Sequence, residues 1–245
     1  MRNGMIKIKE PEVSLVGITK PNTGHTGVWD ANELIAYTAR VSNPTNQNNN
    51  KTASKLLKYL IKHEHWSPFE MVHMTLEIKC TRDISRQILR HRSFSFQEFS
   101  QRYAESEDFE SRETRLQDLK NRQNSIEVDD RDLEEKWSMK QREVINLSKK
   151  IYNWALDNGI AKEQARAVLP EGNTQTTLYM AGSLRSWIHY CQLRMGEETQ
   201  KEHRLVAQKC WEHIAIHFPD VYMALSPTRV VDDAGVDIAT GKFVG

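Results

Sequence analysis

The sequence predicts an α+β fold, a mixed or antiparallel sheet beside a bundle of helices, and three observations carry that expectation. Val72, Met74, Leu76, Ile78 and Cys80 alternate with His73, Thr75, Glu77 and Lys79. That is the period of a strand buried on one face and wet on the other. Many other segments hold the three-four apolar spacing of amphipathic helices. Strands and helices do not alternate regularly, as they would in a parallel sheet built from βαβ units.

Residues 1–225 read as one domain and 226–245 as a C-terminal tail. "IKIKEPEVSLVGITK" is early strand material, its alternation broken at Pro11. A helix follows over 30–42, with Asp30 as N-cap and Glu33 three residues on, the spacing of a capping box. In the next helix Leu56, Leu57, Leu60 and Ile61 share one face. Pro68 is expected to end it, because proline disfavours the helical region at the preceding residue. After the alternating strand, Thr81 or Asp83 can cap a helix on which Arg82, Arg86 and Arg90 recur every four residues. Phe94 and Phe96 then suggest a strand bending toward Phe99. Residues 104–131 are charged and poor in large apolar groups, and read as a polar loop or insertion. Leu133, Trp137, Val144, Leu147, Ile151 and Trp154 form the stripe of a long helix, with Gly159 as its C-cap. The tryptophans on it read as core or interface anchors. Further helices are expected over 161–169, 183–195 and 199–218, the first and last stopped by Pro170 and Pro219.

Lys and Arg total 34 against 33 for Asp and Glu, a formal charge of +1. Proteins that grip long nucleic acid through its phosphates carry a clear basic excess, so a nucleic-acid partner is not expected. No apolar run is long enough for a membrane span, and the start of the chain lacks the apolar core of a secretion signal. The 3 cysteines, Cys80, Cys191 and Cys210, fit reduced thiols, and a cytoplasmic location is expected. His63, His65 and His73 lack a matching Cys or carboxylate spacing, so no metal is expected. His203, His213 and His217 read as solvated positions on the last helix, outside any His-Glu-x-x-His pattern.

The richest stretch for chemistry is "RHRSFSFQEFSQRY", Arg90 to Tyr103. Arginines at a helix C-terminus are favoured by the helix dipole alone. Together with hydroxyls and backbone amides, however, guanidinium groups make an anion site. A single-strand binder would need more basic charge and several stacking platforms, whereas a mononucleotide needs one pocket. Glu98, set among these arginines, can pair internally or bind a sugar or base edge.

Arg90-His91-Arg92, seven residues, then Ser100 resembles the signature of the flavin-dependent thymidylate synthases. "ARVS" at Ala39 to Ser42, "HWSPFE" at His65 to Glu70 and "RQILRHR" at Arg86 to Arg92 resemble blocks of the same family. So do "ARAVLP" at Ala165 to Pro170 and "SLRSWIHYCQLR" at Ser183 to Arg194, all in family order. The resemblance implies the thymidylate synthase-complementing fold and methylation of dUMP to dTMP. Methylenetetrahydrofolate would supply the carbon, and FAD, reduced by NADPH, the hydride. It implies dUMP contacts from Gln87, Arg90, Glu98, Ser100, Gln101, Arg102, Arg166 and Arg194, with Arg194 as the catalytic residue. For FAD it implies Ser42, Ser67, Arg90, His91, Arg92, Glu98, Ser183, Leu184, Arg185 and His189, with His65 near the flavin where folate would be reached. The family often has Asn at the positions of Gln97 and Ser183.

Arg185 and Arg194 lie nine residues apart, about 180° round a helix. One straight helix cannot aim both at one ligand from one side. Either the helix stops early or different subunits share the site; the resemblance implies a homotetramer with active sites at subunit interfaces. A cysteine nucleophile, as in the ordinary thymidylate synthase, is not expected, since all three cysteines sit in apolar patterns. Ser100 has no His-Asp relay near it in the sequence to activate its hydroxyl.

Overall fold

The computed structural model describes residues 8–106 and 108–225, and beyond them the backbone of 236–237 and 242–243. The chain enters through strand β1 (Glu12–Ile18), a single helical turn α1 (Thr23–Thr26) and helix α2 (Ala31–Ala39). Asp30 caps α2 by accepting from the Glu33 N–H at 2.8 Å, while the Glu33 carboxylate reaches back to the Trp29 N–H at 2.7 Å. Helix α3 (Ala53–Lys62) buries Leu57 and Leu60. It stops before the expected proline because Glu64 turns into the left-handed region at φ 57°. Pro68 instead opens a 3-10 turn, Ser67–Met71, where its missing N–H costs nothing.

Strand β2 (His73–Thr81) carries the alternating stretch, with Met74, Leu76, Ile78 and Cys80 buried. Helix α4 (Arg82–Ile88) follows directly, then strand β3 (Ser95–Glu98). The polar 104–131 segment contains a small hairpin, β4 (Arg115–Gln117) and β5 (Ser125–Glu127), so it is not all loop. Helix α5 (Arg131–Asp157) runs to Gly159, whose φ of 76° closes the helix as expected. After the short α6 (Lys162–Ala165) comes a strand not expected from the sequence, β6 (Gln175–Ser183). Helices α7 (Leu184–Arg194), α8 (Lys201–His217) and α9 (Pro219–Leu225) follow, Pro219 starting a helix as well as ending one. In the tail, β7 (Val236–Asp237) pairs with β8 (Lys242–Phe243); the rest of 226–245 lies outside the described residues.

The main sheet is antiparallel, in the order β1-β2-β6-β3. β2 and β6 pair over their whole length, from His73 opposite Ser183 to Thr81 opposite Gln175. β6 escaped notice because its inward residues Thr176, Leu178, Met180 and Gly182 include little of the branched or aromatic bulk that marks strands. Gly182 is required: a Cβ there would lie 2.5 Å from the Phe94 ring. Met74, Leu76, Ile78, Leu178 and Met180 form one core with Trp187, Ile188 and Cys191 of α7 and Val206, Cys210 and Ile214 of α8. Each large apolar side chain buried there is worth about 1.5–3 kcal/mol. The Trp187 indole N–H donates to the Met74 carbonyl at 2.9 Å and pins α7 to the sheet.

α5 differs from its expected orientation. Its buried line is Gln141, Ile145, Ser148, Tyr152 and Ala155. Trp137, Val144, Leu147, Ile151 and Trp154 point outward, between 39% and 59% exposed. The apolar stripe read from the sequence is real, but the described residues do not cover it.

Candidate active site

Because β2 and β6 are antiparallel, α4 leaves one end of the pair and α7 the other. α7 then runs back for 11 residues, about 16 Å, without a break. Its last residue meets the chain just beyond α4. There Arg194 Nε donates to His91 Nε2 at 2.9 Å. A guanidinium can only donate, so the His91 ring is neutral with its proton on Nδ1. Burial, and then the charge of Arg194, holds the His91 pKa below its ordinary value. Anchored through Nε, Arg194 keeps its terminal pair of amino groups free of any partner within the described residues.

Arg90 and Arg92, on either side of His91, are exposed, and no hydrogen bond or ion pair within the described residues occupies their guanidinium groups. α4 ends at Ile88, so Arg90 lies past the face it was expected to share with Arg82 and Arg86. Those two turn instead toward Glu98. The Glu98 carboxylate accepts from Ser85 Oγ at 2.8 Å, Thr176 Oγ1 at 3.1 Å and Arg86 Nη1 at 3.1 Å. In this chain Glu98 is thus paired internally with α4 and β6.

At the other end of α7, Ser183 caps the helix, accepting from the Ser186 N–H at 3.3 Å. Arg185 Nη1 donates to Glu70 Oε1 at 3.0 Å. Burial pushes the Glu70 carboxyl up, but hydrogen bonds from Ser183 and Arg185 outweigh it, and its pKa lies below the usual value. His189 is exposed and edge-on to Trp66, ring centroids 4.9 Å apart. Ser42, Ser67 and His65 are also exposed. Leu184 differs: its side chain is in the core and its N–H donates to the Val72 carbonyl.

The remaining expected residues gather elsewhere. Arg102 Nε pairs with Glu163 Oε2 at 3.2 Å, and Arg166 Nε donates to the Glu163 carbonyl at 3.3 Å. Ser100 Oγ accepts from the Arg102 N–H at 3.4 Å. The Gln101 side chain is buried and donates to Ser106 Oγ at 2.8 Å. No hydrogen bond or ion pair among the described residues joins this group to Arg194, His91 and Gln87.

A family model described as thymidylate synthase complementing protein matches residues 25–220. The chain belongs to that family. It is 52% identical over 212 residues to a probable flavin-dependent thymidylate synthase of Paramecium bursaria Chlorella virus 1, covering 86% of this chain and 97% of the viral one. It is 50% identical over 215 residues to the flavin-dependent thymidylate synthase of a Synechocystis strain, covering 87% and 99%. Among solved structures it is similar to a UMP/dUMP methylase, PolB, from Streptomyces cacaoi bound with 5-Br dUMP. That match has a TM-score of 0.77 and 26% identity, and covers 90% of this chain and 97% of the other.

Two further residues stand beside the expected set. Tyr190 packs edge-on against His91 at 4.9 Å, and its hydroxyl lies 3.1 Å from His203 Nε2. His203, expected to be solvated, is 0% exposed and lies 3.3 Å from Gln87 Oε1 through Nδ1. Of the other two histidines of α8, His213 bonds the Val13 carbonyl at 3.2 Å and stacks on His217. The signal for His203 was its place on the apolar line of α8 with Val206, Ala207, Cys210 and Ile214. The three cysteines are buried, and burial raises all of their thiol pKa values, which argues against a thiolate nucleophile. Two clefts, about 400 and 560 Å³, are lined by residues such as Lys79, Gln175 and Lys149, and Arg90, Arg92 and Arg194 line neither. No described helix is long and apolar enough to cross a membrane.

Proposed function

We propose that the protein is a flavin-dependent thymidylate synthase that methylates dUMP to dTMP. In this reading methylenetetrahydrofolate donates the carbon, and FAD reduced by NADPH supplies the reducing equivalents. The observation that carries the reading is Arg194, fixed through Nε to a neutral histidine with its terminal fork unclaimed. Set against a uracil imide, that fork favours the ionised form of the ring and polarises its carbonyl.

The donors left over suit a flavin dinucleotide. The unpaired Arg90 and Arg92 match a pyrophosphate, to which guanidinium groups offer paired donors. His91 Nδ1–H, the hydroxyls of Ser42 and Ser67, Arg185 and His189 complete the set. Gln87, Arg90 and Arg194 would hold dUMP from one side, and Ser100, the Gln101 backbone, Arg102 and Arg166 from the other. Glu98 acts behind them, holding Arg86 and Ser85 in place.

A homotetramer with shared sites accounts for three features together. No hydrogen bond or ion pair among the described residues joins the two substrate groups, α7 is unbroken from Arg185 to Arg194, and the apolar stripe of α5 faces outward. Trp137, Val144 and Ile151 repeat every seven residues, as do Leu147 and Trp154, which is the seam of a helix that packs against another helix.

The test is the purified protein itself. It should show flavin absorbance, the mass of four chains and an NADPH oxidation that dUMP accelerates. A colourless protein, or oxidation indifferent to dUMP, would rule the reading out.

A further inference from the structure

A line of hydrogen bonds runs from Glu202 to Tyr190, and its polarity can be worked out from one end. Burial pushes the Glu202 carboxyl up, but the charge of Arg112 and a hydrogen bond from Arg115 outweigh it and keep the pKa below the ordinary value. Both arginines come from the 104–131 segment. An ionised carboxylate only accepts, so the end of Gln200 that meets Glu202 Oε2 at 2.9 Å is its amide nitrogen. Gln200 Oε1 therefore faces Gln87 and accepts from Gln87 Nε2 at 2.8 Å. That leaves Gln87 Oε1 turned toward His203, so the proton of His203 sits on Nδ1. His203 Nε2 is then a lone pair, and the Tyr190 hydroxyl donates to it.

We propose that His203 is a positioning residue for the nucleotide site, the second anchor that with Gln200 holds the Gln87 amide still, with Tyr190 holding the tautomer that lets it do so. The proposal rests on the reading that Gln87 contacts dUMP. Held from both ends, the Gln87 amide has one N–H and one carbonyl lone pair left to offer, in one fixed arrangement. Without His203 the amide keeps only its Gln200 anchor and can swing about it, so its free N–H and lone pair are no longer held in one arrangement. Burial first, then the charges of Arg194 and His91, holds the His203 pKa at about 3, so the ring stays neutral at working pH. The 104–131 segment thereby acquires a part in the site: its arginines set the polarity that ends at Gln87.

The experiment measures dUMP dissociation constants on the flavin-loaded protein. His203→Leu should raise the constant about tenfold, the scale of one to two lost hydrogen bonds, with flavin content unchanged. His203→Asn, which keeps a donor near the Nδ1 position, should recover most of that loss. In a Gln87→Ala background, His203→Leu should change affinity by less than about twofold, because the interaction it supports is already gone. Unchanged affinity in His203→Leu, or the same loss with and without Gln87, would overturn the proposal. If His203→Leu does not fold, Tyr190→Phe carries the test: a rise of about two- to threefold that Gln87→Ala abolishes supports the proposal, and no rise overturns it. Wild-type protein that does not bind dUMP would remove the functional reading and this proposal with it. Wild-type binding with unchanged variants would remove the proposal alone.

Discussion

Arg194 and Arg102 carry the same side chain into opposite surroundings. Arg194 is half-buried and held by a neutral imidazole, inside a cluster of His91, Tyr190 and His203 rings. Arg102 is on the surface, and its partner is the carboxylate of Glu163. A neutral acceptor fixes the geometry of a guanidinium and leaves its whole charge available to a ligand. A carboxylate partner cancels that charge until something displaces it. Exposed pairs are worth only about 0–1 kcal/mol, so a phosphate can take the place of Glu163 at little cost. The molecule thus holds one arginine ready where the ring chemistry is proposed, and leaves the other paired until substrate arrives.

The sharpest way to break this contrast is Arg194→Ala. Removing a charge aimed at the reacting ring should lower methyl transfer by about two to three orders of magnitude. Flavin absorbance should remain, since the unpaired Arg90 and Arg92 are untouched. Turnover within tenfold of wild type would mean that Arg194 is no more committed to the chemistry than Arg102.

The buried side should also betray itself through pH. The unfolded chain protonates His203 near its ordinary value of about 6.5, whereas the folded protein resists until about 3. Between those limits the unfolded state binds more protons, so stability falls as the pH drops. From pH 7 to pH 4.5 this one group should cost about 2 to 3 kcal/mol, read from denaturant midpoints. His203→Leu should flatten that slope. An unaltered acid limb would show that His203 reaches water and that the cluster around Arg194 is open like the surface near Arg102.

The smallest effect is expected on the exposed side. Glu163→Gln should change unfolding free energy by less than about 1 kcal/mol, as for other surface pairs. A larger loss would show that the Arg102–Glu163 pair is part of the fold and not a partner held in reserve.

Much of this architecture could be read along the chain. The alternation from Val72 to Cys80 became β2, Asp30 capped α2, and the motif from Arg90 to Ser100 led to the family. β6 was harder, because its inward line runs through Thr176, Met180 and Gly182, and the close approach of Phe94 that explains the glycine is not a local fact. Pro68 reads as a stop and proves to be a start, and Pro219, which does follow the end of α8, also starts α9, since proline is equally at home in a first helical turn.

By itself, the sequence determined the periodicities, the caps and which residue types stand side by side, because those depend on neighbours a few positions away. It also determined that α5 has an apolar stripe. Only the tertiary structure decided that the stripe faces outward, since periodicity reports two unlike faces and not whether the same chain covers the apolar one. The partnership of His203 with Gln87 spans 116 positions. Hydrogen-bond polarity over such a separation is set by which groups the packed core brings together, and no local pattern encodes it.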